Sequence, residues 1–519
     1  MKITTIATIY IGSYEICLKI QELPSKKVIR DVENICCRTN VGQEIFTRQY
    51  IGSQAVDELC ERLNEFLHIS QTYQCDECLV YASNTWKYAE NMVFVQDQIR
   101  IRTGLSIKVL NNSEQRYLSY KTVSVMHEFP AITQEGCALI DVGGRSLQVT
   151  LFEKGHMILT KQVPLGTLRV MRIVALLRSK TGHPENQILE MAEKEMDGFR
   201  ALFGGNKRVK HVIMLGNYLK DVCRDVLKTP AEAGVSDSTE IEIVMSLGQF
   251  KDHMKGICKS SAETLDQTFD FINVNDPVFI PSMMMYYGLA KAFKADYIWV
   301  PGFSLNDGIA HQYAQQKKIL HPVHDYEDDV LSCAREIARR YHSDEKHIDA
   351  MEQFALAVFD AAKKIHGMGR RERLLLRTAV YLHDCGKYVC LAGHGQMSYH
   401  IIMASELIGL NHRERKIIAL AVKYHESGLD PYVELRDEIS QADYMTVAKL
   451  AAILRLTNAL DRSHKQKMQE FKVVRKDREL IITVKSEDHF YWEQAKFDQQ
   501  ADIFEKVFCL KPILKEKRV

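Results

Sequence analysis

This 519-residue chain lacks the features that would send it to a membrane, a secreted scaffold or a nucleic acid. No stretch reaches about 18 uncharged apolar residues, the minimum for a spanning helix, so no membrane partner is expected. Met1-Lys-Ile-Thr-Thr runs into a strand-like segment without the long apolar core of a signal peptide, and a cytoplasmic location is expected. An excess of one charge is also missing. Lys and Arg number 68 against 67 Asp and Glu, a net +1, which argues against broad nucleic-acid binding and leaves room only for a local basic cleft. The 13 cysteines are scattered and odd in number, so they read as free thiols rather than a disulfide framework. Cys75-Asp-Glu-Cys78 stands alone as a CxxC pair, which is weak evidence for zinc, and Cys36-Cys37 reads as incidental.

What is present is ordinary globular composition, 46% hydrophobic and 26% charged, at a length that implies roughly three or four domains. Residues 3–12 and 15–22 read as a strand pair joined at Gly12-Ser13. Helices follow at 50–69, 90–103 (stopped by Gly104) and 113–125, with strands at 78–83 and 105–110. The pattern then restarts. Strands at 137–141, 147–153 and 157–163 surround a Gly143-Gly144 turn, and 212–215 reads as a further strand. Strand, glycine turn and returning strand thus occur twice, about 130 residues apart, as in two related α/β lobes across a cleft. Tyr297 to Pro301 with Asn306-Asp-Gly308 closes the second lobe. From 325 to 465 the pattern is helical throughout. From 466 strands return at 471–474 and 480–484, with a short helix at 501–508. The expected division is 1–125, 126–312, 325–465 and 466–519.

Ala138-Leu-Ile-Asp-Val-Gly-Gly-Arg-Ser146 is the first stretch to carry chemistry. A strand ending in Asp141 and then a glycine turn suits a phosphate against backbone amides, with the carboxylate on a divalent metal. Gly143 and Gly144 allow close backbone approach, and Ser146 adds a hydroxyl. An ordinary hairpin with a surface Asp is the bland alternative. In Pro164-Leu-Gly-Thr-Leu-Arg169, Gly166 and Thr167 open a helix whose amino terminus would favour phosphate. Arg169 reads as a phosphate clamp or a solvated side chain.

These motifs, in this order, resemble the exopolyphosphatase and guanosine-pentaphosphate phosphohydrolase family of the actin-like ATPase superfamily. Its Asp-Ile/Val-Gly-Gly-Gly-Ser-Thr-Glu corresponds to Asp141 through Gln148, and its Pro-Leu-Gly-x-x-Arg to Pro164 through Arg169. Ala82-Ser-Asn-Thr-Trp-Lys-Tyr-Ala-Glu-Asn91 matches a third motif, and Leu110-Asn-Asn-Ser-Glu-Gln-Arg116 the region of the catalytic glutamate. The resemblance implies two actin-like (ribonuclease H-like) lobes, then an all-α domain similar to the HD hydrolases and a small α+β tail. It implies release of terminal phosphate from inorganic polyphosphate or guanosine pentaphosphate, with Mg²⁺ or Mn²⁺ as cofactor, in a homodimer. Glu114 would be the general base and Asp141 the metal ligand. Gly12, Ser13, Lys87, Gly143, Gly144, Arg145, Ser146, Gly166, Arg169 and Gly216 would surround the phosphates. Without the resemblance, Glu114 is one glutamate on a helix.

In the helical segment, Tyr381-Leu-His-Asp-Cys-Gly-Lys387 places His383 and Asp384 at a helix end, open to a divalent metal. The resemblance to HD hydrolases adds His347 and His425 as ligands. His394 and His400 compensate for Met397, which stands where a histidine is usual. The alternative is a core in which these groups hydrogen-bond to one another beside a polyanion channel lined by Lys363, Lys364, Arg370, Arg371 and Arg373. Equally, these five form a solvated face.

The departures from the family are specific. Tyr10 stands for an Asp, Tyr14 for an Asn, Gln148 for a Glu, Arg145 for the third glycine and Lys87 for an arginine, which loses the bidentate fork. Leu215-Gly-Asn217 is all that remains of a Gly-Gly-Thr motif, and Asn458 replaces the last HD aspartate, with Asp461 one turn beyond to cap or to pair with an arginine. Three readings follow: a phosphohydrolase acting on polyphosphate or guanosine pentaphosphate, a weakly or non-catalytic sensor that binds such anions, and an HD-type nucleotide phosphohydrolase whose first site is vestigial.

Overall fold

The computed structural model describes residues 3–24, 29–177, 184–199, 201, 209–216, 219–223, 243–260, 279–322, 324–468, 470–486 and 488–516. The chain forms two units, Met1–Asp325 and Tyr326–Val519.

Two sheets organise the first unit. The first contains β1 (Thr4–Ile11), β2 (Glu15–Leu23), β3 (Arg30–Arg38), β4 (Glu77–Ala82) and β5 (Ile107–Val109), in the order β3-β2-β1-β4-β5. The second contains β6 (Cys137–Val142), β7 (Leu147–Glu153), β8 (His156–Val163), β9 (His211–Leu215), β10 (Ile243–Ser246) and β11 (Tyr297–Val300), in the order β8-β7-β6-β9-β11-β10. Each begins with an antiparallel meander of three strands. Each then adds parallel strands on the other side of its first strand. The internal repeat is therefore real at the level of strand order. β1 and β6 are the central strands and are nearly continuous apolar runs, as burial on both faces requires. Both end in glycine turns, Gly12-Ser13 and Gly143-Gly144, and Ser13 lies against Gly144.

β3 was not legible, because its residues alternate between exposed and half-buried positions and it carries charge, as an edge strand should. Its pairing with β2 sets Cys17 opposite Cys36, and the two form a disulfide. This corrects the expectation that all thiols are free; register, not sequence spacing, brings these two together. Cys75 and Cys78 are free thiols, and burial pushes the Cys78 thiol up to about 11.

The helix Leu305–Gln316 does not close the second lobe but packs on the first sheet. Asn306 Nδ2 donates to Thr8 O at 2.7 Å, and Asp307 accepts from Lys19 Nζ at 2.5 Å and Gln21 Nε2 at 2.9 Å. A buried ion pair of this kind is sharply sensitive to loss of one partner.

The second unit is built on the helices Tyr326–Arg340, Glu345–Ala361, Arg370–Leu382, His394–Ala404, His412–Lys423 and Gln441–Leu460. They are followed by β12 (Glu470–Lys476), β13 (Glu479–Lys485), the helix Tyr491–Phe508 and β14 (Lys511–Glu516). The terminal strands and helix are not a separate body. Leu480, Ile482, Val484, Phe497 and Phe504 share one core with Phe354, Leu450 and Leu454. The last helix starts at Tyr491 rather than Ala501, because its buried face is marked only by widely spaced apolar residues among Gln, Asp and Lys. Among the described residues no helix is long and apolar enough to cross a membrane.

Candidate functional site

Asp141 sits at the end of β6, directly opposite Gln148 on β7. Its carboxylate accepts from Ser119 Oγ at 2.9 Å. Burial raises its pKa, and the Ser119 bond only partly opposes this. Tyrosines crowd the site. Tyr10 and Tyr286 are both held well above the usual phenol range, chiefly by burial; the Asp141 carboxylate adds to this in both, and Tyr14 is a further contributor. Gln148 Oε1 is buried without a hydrogen-bond partner. No group of three His, Cys, Asp or Glu ligands forms around Asp141 among the described residues.

The anion cradle expected from the sequence is largely engaged in holding the protein together. Gly143 N donates to Ser146 O, and the first amides of the helix Thr167–Leu177, those of Thr167 and Leu168, donate to Gly143 O at 3.1 Å and Gly144 O at 2.8 Å. That helix terminus therefore presents these donors to backbone, not to phosphate. Gly166 is required by this close approach, since a Cβ there would lie 2.2 Å from the Arg145 carbonyl carbon. Arg145, expected among the phosphate ligands, makes an aromatic contact: its guanidinium lies 3.9 Å from the Tyr88 ring centroid and 5.6 Å from that of Phe46. Ser146 Oγ accepts from Gln162 Nε2 at 2.7 Å, and Gln162 in turn accepts from Asn112 Nδ2. Gly12 N donates to Glu15 O at 2.8 Å. Ser13 Oγ pairs with Thr85 Oγ1 at 2.9 Å, and its side chain lies against Gly144. Arg169 is exposed and donates to Pro164 O at 2.6 Å. The Tyr286 hydroxyl stands over Gly216 and donates to Leu215 O at 2.8 Å; Asn217 lies outside the described residues.

Glu114 is the third residue of the helix Asn112–Val123 and closes a capping box. Its N–H donates to Asn111 Oδ1 at 2.8 Å, and its Oε2 accepts from Asn111 N at 2.9 Å. Lys108 Nζ is 3.5 Å from Oε1. Burial lowers the pKa of Lys87, opposed by its attraction to Glu114. Glu114 precedes Ser119 by five positions, about 7–8 Å along the helix axis from the residue that touches Asp141. The local role of Glu114 is thus that of a helix cap.

The second unit holds a different kind of site. His383 and Asp384 end the helix Arg370–Leu382, and Gly386 lets the following turn press against the helix His394–Ala404. A Cβ at Gly386 would fall 2.1 Å from His394 O. Gly386 N donates to Ser398 Oγ at 2.8 Å, and that hydroxyl donates to His383 O at 2.9 Å. His383 Nδ1 donates to Val380 O at 2.7 Å, and His425 Nδ1 to Val422 O at 2.5 Å. His347 Nδ1 is bonded to Asp461 Oδ2 at 2.8 Å. Each ring therefore carries its proton on Nδ1 and presents the Nε2 lone pair inward, the arrangement by which outer partners orient metal-binding histidines. Burial depresses His383 to about 3 and His425 to about 4, so both rings are neutral and able to ligate. Burial alone would raise Asp384, but His383, His394 and Lys387 outweigh it and hold the carboxyl well below the usual range.

Five inward atoms have no hydrogen-bond partner: Nε2 of His347, His383, His394 and His425, and Oδ1 of Asp384. Native interiors rarely leave one such atom unpaired. Two overlapping groups, His347–Asp384–His464 and Asp384–His394–His425, have ligand atoms within 4.8 Å of one another. The sequence motif named His347, His383, Asp384 and His425, and the structure brings all four together. Of His394 and His400, which the sequence offered together, it brings in His394, while His400 is turned out to Gln396. It also adds His464, which stacks on His347 at 3.8 Å and which no sequence motif marks. Asp461 holds His347 rather than an arginine. Of the five basic residues proposed to line a channel, Arg370, Arg371 and Arg373 pair with Glu327, Glu414 and Asp360, and Lys363 and Lys364 are exposed.

The repeated five-strand order defines an actin-like ATPase fold. Residues 26–199 match the model of the Ppx/GppA phosphatase family and residues 331–501 match domain III of the Ppx/GppA phosphatases; the chain belongs to this family. It is 27% identical over 123 residues to exopolyphosphatase 1 of Mycobacterium tuberculosis and to that of Mycobacterium bovis. The match covers 24% of this chain and 35% of each relative, so the chain aligns with about a third of their length. The crystal structure of an exopolyphosphatase from Cytophaga hutchinsonii is similar in fold, with a TM-score of 0.50 and 13% identity, over 61% of this chain and all of that one.

Proposed function

We propose that this chain is a metal-dependent phosphohydrolase acting on phosphoanhydride bonds, with its hydrolytic centre in the histidine cluster of the second unit. Family membership and the exopolyphosphatase relatives support the reaction class and inorganic polyphosphate as substrate. Guanosine pentaphosphate offers the same terminal anhydride. The observation that carries the location is the set of five buried, unpartnered ligand atoms around Asp384. A divalent ion there would be held by His347, His383, Asp384, His394 and His425, and would supply Lewis-acid polarisation of a phosphoryl oxygen and a water nucleophile at neutral pH. Around it, Asp461 and two backbone carbonyls fix ring orientation. Lys387, 2.5 Å from Asp384 Oδ2, offers a positive charge to an incoming phosphate.

The second reading keeps turnover in the first unit, with Glu114 as general base and Asp141 as ligand of Mg²⁺ or Mn²⁺. It is favoured by the survival of both carboxylates and of the Gly143-Gly144 turn. The two readings separate in one assay: phosphate release from long-chain polyphosphate and from guanosine pentaphosphate, with Mn²⁺ or Mg²⁺, by the native chain, Asp384→Ala and Glu114→Gln. Loss of about 10³-fold or more in Asp384→Ala alone, equivalent to several kcal/mol of transition-state stabilisation, is the expected result. Loss confined to Glu114→Gln supports the second reading, and no release from any chain rules out both.

A further inference from the structure

Cys17–Cys36 is the one disulfide among the described residues, and ten other described cysteines remain thiols. A chain that keeps so many thiols is matched to reducing surroundings, where an isolated disulfide serves sensing or transfer more often than structure. The two sulfurs stand in different settings. Cys17 is 3% exposed on β2, opposite Tyr10 of β1, and its carbonyl accepts from Asn306 Nδ2 at 3.3 Å. Cys36 is exposed on β3, the edge of the first sheet, so a thiolate reaches its sulfur without opening the core. Exposed disulfides are the labile, regulatory ones.

The bond pins one end of a strand. Near the start of β3, Asp31 pairs with Lys19 at 2.6 Å and accepts from Gln21 Nε2 at 2.8 Å. Near its end the side-chain tie to β2 is the disulfide. The chain then passes through Thr39, whose N–H donates to Tyr14 O at 3.1 Å, into the helix Val41–Arg48. That helix lies directly on the first glycine turn: a Cβ at Gly42 would fall 2.0 Å from Ser13 O. Ser13 in turn lies against Gly144 and pairs with Thr85. A short run of chain thus connects an exposed sulfur to the seat of the Gly12-Ser13 turn.

From this we infer that Cys17–Cys36 is a reversible redox switch: its reduction by a dithiol releases the end of β3 and loosens the helix Val41–Arg48 from Ser13. A thiolate of the dithiol attacks Cys36 Sγ, the S–S bond breaks, and Cys17 leaves as a thiolate that takes up a proton. The second thiol of the reductant then attacks the mixed disulfide and frees Cys36. Two electrons pass to the protein, two cysteine thiols form, and the reductant departs as its own disulfide. A small disulfide, oxidised glutathione for example, reverses the exchange in the same two steps.

The test uses the full chain without denaturant. Samples in air-saturated buffer, after millimolar dithiothreitol, and after subsequent oxidised glutathione are alkylated, digested and weighed by mass spectrometry, and amide hydrogen exchange is followed in each. Cys17 and Cys36 should be linked in the first, alkylated in the second and linked again in the third. Amide protection across residues 30–48 should fall about 10–100-fold on reduction, the worth of closing a loop of this length, while that of the second unit stays unmoved. Cys36→Ser, at an exposed position, should show the loosened pattern with no reductant, and Cys37→Ser should leave the switch intact. A bond that opens only in denaturant, or two thiols in the air-saturated sample, overturns the inference. So does reduction with no change in protection across residues 30–48, which would make the bond a structural staple.

Discussion

The two units treat their polar residues in opposite ways. In the first, several groups that the family motif would direct at phosphate are engaged elsewhere: the amides of the helix Thr167–Leu177 on the glycine turn, Arg145 on Tyr88, Ser146 on Gln162 and Glu114 on its own cap, while Gln148 Oε1 and Thr167 Oγ1 are single buried atoms left without a partner. In the second, the outward nitrogens of three histidines are satisfied and the inward ones are not. A site is better recognised by what the fold leaves unsatisfied than by which motif letters survive, because an unpaired buried polar atom is costly unless something binds it.

Acid should divide the units most strongly. The folded-state pKa values of His425 and His383, about 4 and about 3, lie below the ordinary histidine value of 6.5. The unfolded chain therefore binds more protons as pH falls from about 6.5, and stability is lost across that window down to the folded values. For His425 alone the effect is on the order of 3 kcal/mol. Asp141 has the opposite sign: its raised pKa means the folded state binds the extra proton, so acidification just above 3.8 stabilises the first unit. Calorimetry of metal-free protein between pH 7 and 4 should show a transition of the second unit that falls steeply with acid. A second-unit transition unmoved by pH would break the contrast.

Removing the outer partner is the next sharpest comparison. Asp461→Ala frees the His347 ring, and metal affinity should fall about 10–100-fold. The equivalent change in the first unit, Ser119→Ala, removes the donor to Asp141 and should leave metal binding within about twofold, since the retained sites are elsewhere. Isothermal titration with Mn²⁺ reads both. The smallest effect belongs to Arg145→Ala. It should lower first-unit stability by about 0.5–1 kcal/mol in denaturant unfolding, the worth of an aromatic contact, and leave the KM for polyphosphate unchanged. A rise in KM would return Arg145 to phosphate.

Much of this was legible in the sequence. The repeat of strand, glycine turn and strand anticipated two sheets of one order, and the His383-Asp384 pair with His347 and His425 anticipated one site. What escaped reading is long-range or weakly patterned. The Cys17–Cys36 bond depends on strand register, and β3 on an edge position tolerant of charge. His394 lies where a helix docks through Gly386, so only packing shows that it points inward while His400 points out. His464 follows the end of the helix Gln441–Leu460, in a turn with no motif. The substitutions Tyr10, Arg145 and Gln148 were visible, but their meaning was not: only the structure shows Tyr286 standing over Gly216 and Arg145 withdrawn to an aromatic pair.

The central claim is that phosphate release does not depend on the first-unit carboxylates. It is tested most directly by the full chain carrying Glu114→Gln and Asp141→Asn together, assayed for phosphate release from long-chain polyphosphate with Mn²⁺. The account predicts activity within about threefold of the native chain, with metal content unchanged. A fall to background in a folded protein that still binds its full complement of metal would contradict it.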